Sequence, residues 1–155
     1  MLLEFSHRVA APQAAVFAFH TDPANLALIL EGWPGFELVS HDATTQVGST
    51  TWVKQRMFGC VPILSAFKHT LFEAPDRFGE ELVRGPFQHF RHIHEFVADG
   101  NETLVVDKID VLLPWYFGGE LTTRLIVASF LAKFFAFRHA SLDRLLQQGA
   151  FEADE

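Results

Sequence analysis

The sequence predicts an α+β fold, a curved antiparallel sheet closed by one long C-terminal helix. Three observations predict it. Phe36 to Leu113 reads as strand after strand, rich in Val, Thr, Phe and Leu and divided by turn residues. Ahead of that run stand one weakly alternating segment and two short helical ones. Behind it, an apolar pattern of helical period runs without a break from Leu121 to Gln148.

Taken in order, Leu2 to Ala10 alternates and is expected to be a strand. Pro12 suits a first helical turn, and Gln13 to His20 continues as a short helix. Asp22-Pro23 opens a second short helix through Leu30, which the turn-rich Gly32-Trp33-Pro34-Gly35 ends. Asp42 to Gly48, Gly59, Ala74-Pro75-Asp76, Gly85-Pro86 and Asp99-Gly100-Asn101 then divide the following text into about six strands, mostly paired as hairpins. Gly118-Gly119 separates the sheet from the long helix, and Gly149 stops it. Without repeats or linker-like stretches, residues 1–150 read as one domain. Residues 151–155 read as a frayed, solvated acidic tail.

Composition narrows the function classes. Of 155 residues, 49% are hydrophobic and 20% charged, and Phe alone accounts for 17. Disorder is excluded by that apolar content. Twelve Lys and Arg against 19 Asp and Glu give a net charge of −7, which disfavours nucleic acid and anionic membranes as partners. The single Cys60 forms no intrachain disulfide, which suits a reducing compartment. Met1 to His7 lacks a basic region before its apolar residues and does not resemble a signal peptide. Arg124 and Lys133 interrupt the most apolar stretch, so stable membrane insertion is not expected. The expected location is cytoplasmic. The Phe surplus fills the interior or lines a hole in it.

Polar residues on apolar faces mark a candidate site. On a helical wheel, Val127, Leu131, Phe134, Phe135, Leu142 and Leu145 form one stripe, and Arg138 lies in its middle. Either Arg138 snorkels to solvent, or it is held inside and must be paired. In Gln88 to Val97, even positions put Phe90, His92, His94 and Phe96 on one face. In Leu104 to Leu113, Asp107 is the one charge among the apolar odd positions. A tight turn at Gly100-Asn101 places His94 opposite Asp107 and His92 opposite Ile109, with matching parity. The expected arrangement is a bidentate Arg138–Asp107 pair with His94 as a further partner. It serves either to fix how helix and sheet pack or to form the polar end of an apolar cavity.

At these residues the chain resembles the START-like superfamily (SRPBCC, helix-grip fold), in its polyketide cyclase/dehydrase-like branch. Gly85-Pro86-Phe87-Gln88-His89-Phe90-Arg91-His92-Ile93-His94-Glu95-Phe96 is similar to that branch's Gly-Pro-Phe, aromatic, His-x-His-x-Phe signature. Asp107, Pro114 and Phe135-Ala136-Phe137-Arg138-His139 follow in the expected order. Asp22-Pro23 and Gly48 also match, over nearly the whole chain. Phe90 stands where the branch more often has Trp, and the His- and Phe-rich text around Phe67-Lys68-His69 is not matched to the branch. The resemblance implies about seven antiparallel strands gripping the C-terminal helix, with a cavity between them. Members bind lipids, polyketides, hormones or other apolar molecules, and some catalyse cyclisation or dehydration.

Three functions follow as expectations. The first is a binder of a small or medium apolar ligand, held by Phe90, His92, His94, Phe96, Asp107, Phe134, Phe135 and Arg138. The second is a cyclase- or dehydratase-like enzyme with His94 as acid/base, beside Asp107, and Arg138 stabilising an enolate-like charge. The third is an interaction module with a filled core and exposed aromatics at Trp33 and Trp115-Tyr116-Phe117. No cofactor is expected. His92 and His94 could ligate zinc with His69 or Asp107, but no Cys pair or definite third ligand supports it, so no metal is assigned. Neither Cys60, Ser65 nor Ser141 sits in a nucleophile motif, and Gly118-Gly119 makes no phosphate loop.

Overall fold

A computed structural model describes residues 1–57 and 59–152. The last residues of the expected acidic tail, 153–155, lie outside the described residues. The order of elements is β1 (Leu2–Val9), α1 (Gln13–Thr21), α2 (Asn25–Ile29), β2 (Glu37–His41), β3 (Thr50–Met57), β4 (Val61–Glu73), β5 (Arg77–Arg84), β6 (His89–Asp99) and β7 (Glu102–Leu112). A 3-10 turn at Trp115–Phe117 leads into α3 (Gly119–Thr122), a π-helical turn (Thr123–Val127) and α4 (Ala128–Gln147), which form one continuous helix.

The seven strands form one antiparallel sheet in the order β1-β7-β6-β5-β4-β3-β2. From β2 onward every strand pairs with the next one in sequence, as hairpins dictate. Only the passage from β1 to β2 crosses from one edge to the other, and α1 and α2 occupy it. The observed architecture is the expected one, a curved sheet wrapped around a C-terminal helix.

The β6–β7 hairpin has the predicted register, with Asp99 opposite Glu102, His94 opposite Asp107 and His92 opposite Ile109. Gly100 adopts φ +62°, the left-handed backbone that a two-residue hairpin turn requires and a side chain resists. Alternation then decides the faces. Phe96, Val105, Ile109 and Val111 are buried, whereas His89, Arg91 and Asp110 are exposed.

The helix stripe also packs as its period predicts, with Val127, Leu131, Phe135, Leu142 and Leu145 buried. By length and apolarity this helix could cross a membrane, but its apolar stripe faces the sheet. Thr123 locks its start, because the Oγ accepts Leu113 N–H at 2.9 Å and donates to Gly119 O at 2.7 Å. The tail differs from expectation at its first residue. Phe151 is buried and packs on Phe19 with ring centroids 4.7 Å apart, since its apolar area gains more from the core than a polar tail would.

Candidate functional site

The centre of the site is a row of polar side chains crossing four strands on the inner face of the sheet. Pairing puts His69 of β4 opposite Glu80 of β5, Glu80 opposite His92 of β6, and His94 of β6 opposite Asp107 of β7. All five point toward α4, whose buried Arg138 faces them. His69, His92, His94 and Asp107 are buried, and Glu80 is half-buried.

Asp107 is 1% exposed, and its carboxylate is engaged from within the sheet. The Nε2–H of His92, its diagonal neighbour, donates to Oδ1 at 2.8 Å. His94, directly opposite, brings Nδ1 to 2.8 Å from the same oxygen, but off the line of a hydrogen bond. The two imidazoles lie one over the other, centroids 3.8 Å apart, and Phe78 stacks on His94 at 4.3 Å. On the far side, His92 Nδ1 is 3.8 Å from Glu80 Oε1, and His69 Nε2 is 3.5 Å from Glu80 Oε2. His69 is held by Ser49, whose Oγ–H donates to Gln46 O, so that Nδ1–H of His69 donates to Ser49 Oγ at 3.1 Å.

The expected Arg138–Asp107 pair does not form. Among the described residues no carboxylate oxygen comes within 4.0 Å of the Arg138 guanidinium, although the side chain is only 6% exposed. The reason is layering, since β6 lies beside β7 within one sheet while α4 packs a layer away. The strand imidazoles therefore occupy the Asp107 oxygen first. Arg138 instead lies 5.8 Å from the centroid of the Phe135 ring, in cation–π range.

Burial and charge set the protonation states. Burial works against ionising Asp107, but contacts from His92 and His94 and the Arg138 charge hold it well below the ordinary carboxylate range. Burial likewise opposes the Glu80 charge, yet the His92 contact and the neighbouring imidazoles take its pKa down to about 2. In His92 the two carboxylates outweigh burial and raise the pKa above the usual value. Burial, with His92 beside it, pushes His94 down to about 3. Of the two imidazoles, His92 is the one poised to carry a proton.

Space lies beside this row. An aromatic compartment of about 110 Å³ is lined by Phe67, Phe87, Phe90, Phe134, Phe135 and Arg138, among others. Through shared walls at Gln55, Phe87 and Phe130 it adjoins a larger space of about 360 Å³ between β3, β4 and the π-helical turn. Across Glu80 and Arg138 it adjoins a polar recess of about 60 Å³ that His20, His69 and His94 line. The interior is thus not filled, but the part nearest the polar row is smaller than the roughly 300 Å³ of typical ligand sites. The larger volume lies toward the start of the helix.

Of the predicted site residues, Phe90, His92, Phe134, Phe135 and Arg138 line the aromatic compartment, and His94 lines the recess. Asp107 sits behind the imidazoles. Phe96 lies elsewhere, in the core among Phe17, Phe78 and His20. Trp33 packs on Phe130, Phe134 and Phe137 of the helix, whereas Trp115, Tyr116 and Phe117 are exposed. Sequence reasoning missed Glu80. The signal was Phe78, whose burial two residues earlier on the same strand puts Glu80 on the inner face.

No family model and no curated protein matches the sequence. Solved structures do. TTHA0849 from Thermus thermophilus superposes with a TM-score of 0.75 at 16% identity, over 96% of this chain and 99% of that one. Norcoclaurine synthase from Thalictrum flavum, in complex with dopamine and hydroxybenzaldehyde, gives 0.73 at 12% identity, over 100% and 89%. Ara h 8.0201 gives 0.67 at 10% identity, over 96% and 98%. Identities this low speak to architecture only. With its seven-stranded grip around the C-terminal helix, the chain has the helix-grip fold that these proteins share.

Proposed function

We propose that this protein binds a small or medium apolar molecule carrying one anionic or strongly polar group. The apolar body would occupy the spaces flanked by Gln55, Phe87 and Phe130, and the polar group would meet Arg138. The observation that carries this reading is Arg138 itself. A buried guanidinium is costly unless paired, and this one borders both the aromatic compartment and the recess without a carboxylate within 4.0 Å among the described residues. A ligand oxygen there would complete its hydrogen bonding in a low-dielectric setting, where charge-assisted contacts are strongest.

The test is titration with anilinonaphthalene sulfonate, an aromatic anion whose fluorescence rises in apolar surroundings. Folded protein is expected to enhance it saturably. Gln55→Trp, which fills the neck between the two larger spaces, should weaken binding at least tenfold, and Arg138→Gln should also weaken it. Absence of enhancement, or equal enhancement by Gln55→Trp, overturns the reading.

A further inference from the structure

We propose that Glu80, His92 and His94 form a binding site for one divalent transition-metal ion of the zinc class. The three side chains each offer a donor atom, all within 4.8 Å of one another, in the interior of the sheet. Two imidazoles and a carboxylate with an open fourth position is a ligand set that zinc takes readily. This goes beyond the binding of an apolar molecule, which needs no metal.

The spacing is the first argument. His92 Nδ1 stands 3.8 Å from Glu80 Oε1, too far for a hydrogen bond. Two donors each about 2.1 Å from a tetrahedral ion are separated by about 3.4 Å. The gap is therefore near the size that an ion between the donors would set.

Orientation is the second. Asp107 Oδ1 receives His92 Nε2–H at 2.8 Å and has His94 Nδ1 at the same distance. The hydrogen bond leaves Nδ1 of His92 as that ring's lone-pair donor, while His94, whose Nδ1 faces Asp107 off the line of a hydrogen bond, has Nε2 on its other edge. A carboxylate behind each ligating histidine is the usual outer support of a metal site, fixing the tautomer and raising ring basicity. Here Asp107 holds the His92 ring by a hydrogen bond and lies beside the His94 ring. On the other flank, His69 Nδ1–H is donated to Ser49 while its Nε2 faces Glu80 Oε2 at 3.5 Å.

Charge is the third. With both imidazoles neutral, as ligation requires, Asp107 and Glu80 against Arg138 leave one net negative charge. A cation would offset it in place of the proton that His92 otherwise carries, and Arg138 stands beyond ion-pair distance of both carboxylates. The small recess that His94 and Glu80 line gives the open position a place for water or a ligand oxygen.

The experiment is titration of chelator-treated protein with Co2+ at pH 7.5, read by visible d–d absorption, followed by displacement with Zn2+. One equivalent is expected to bind with absorption typical of four- or five-coordinate nitrogen and oxygen ligation, and Zn2+ should bleach it. Glu80→Gln should weaken binding at least tenfold, and Asp107→Asn by 10- to 100-fold through the His92 ring it orients. Circular dichroism establishes that each variant is folded, and if Asp107→Asn is not, Glu80→Gln decides alone. Failure of folded wild-type protein to bind Co2+ at micromolar concentrations overturns the proposal, as does wild-type affinity in Glu80→Gln. Anilinonaphthalene sulfonate binding by the same metal-free protein is read separately, so either proposal can fail without the other.

Discussion

The two halves of the interior are built from the same kinds of residue and packed to different ends. Around the C-terminal half of α4, Leu142 and Leu145 meet Val16, Phe17, Phe78, Phe96 and Val105 in a closed cluster that Phe151 caps. Its rings meet edge to face, Phe17 against Phe96 at 5.3 Å and against Phe78 at 6.1 Å, an arrangement aromatic quadrupoles favour. Around the N-terminal half, Leu131 and Phe135 pack on Ile109, Val111 and Leu113, but Phe130, Phe134 and Phe87 border open volume. The polar row and Arg138 lie where the halves meet. An abundance of Phe therefore does not by itself report a full core or a hollow one. What distinguishes them is how the small helices cover the sheet: α1 packs on β6 and β7 over the closed half, whereas α2 and its C-cap lend Leu26 and Leu30 to the wall of the aromatic compartment and leave its volume open.

Truncation should expose that contrast most directly. Phe96→Ala in the closed half is expected to cost about 3–5 kcal/mol in urea unfolding, because the cavity it leaves cannot collapse. Phe134→Ala, whose ring is half-buried beside existing space, should cost less than half as much. Equal losses would break the comparison.

The parts of this arrangement that were legible in the sequence were those governed by short periods. Strand parity and a two-residue turn placed His92, His94 and Asp107 on one inner face, and the helical wheel put Arg138 opposite them. Glu80 and His69 were harder to read. The β4–β5 pairing slips between Ala66 and Phe67 and again between His69 and Leu71, so parity could not be carried across it, and Glu80-Glu81 looks like a solvated pair of charges. The expected Arg138–Asp107 contact failed for another reason. Face and register say which groups converge, whereas which of them reaches a shared oxygen first depends on layer spacing.

Acid should probe the junction between the halves. His20 donates Nδ1–H to Val16 O at 2.8 Å and leaves Nε2 buried without a partner. Burial, then the Arg138 charge, lowers its pKa from 6.5 to about 4. The unfolded chain therefore takes up this proton first as pH falls, so the stability His20 contributes is full above about pH 6.5 and is lost progressively down to about pH 4. In metal-free protein the loss attributable to His20 should be roughly 2 kcal/mol, measured as the difference in urea stability between pH 7 and pH 4.5 for wild type and His20→Gln. A variant with the wild-type pH slope would contradict the burial argument. The smallest effect belongs outside the closed half, where His7 Nε2–H donates to the exposed Asp143 at 2.8 Å. Asp143→Asn should change stability by less than about 1 kcal/mol, and a larger loss would make this surface pair part of the core's support.

The tight turn at Gly100-Asn101 has a reach far beyond its own two residues. Because side chains alternate faces, one residue added there would move β7 by a single step against β6 and reverse it. Lys108 and Asp110 would then enter the interior, and Asp107 would leave for solvent. The chemistry of the site is in that sense written in the length of a loop five residue pairs away along the hairpin. A change in that loop could remove the site without altering any residue that lines it.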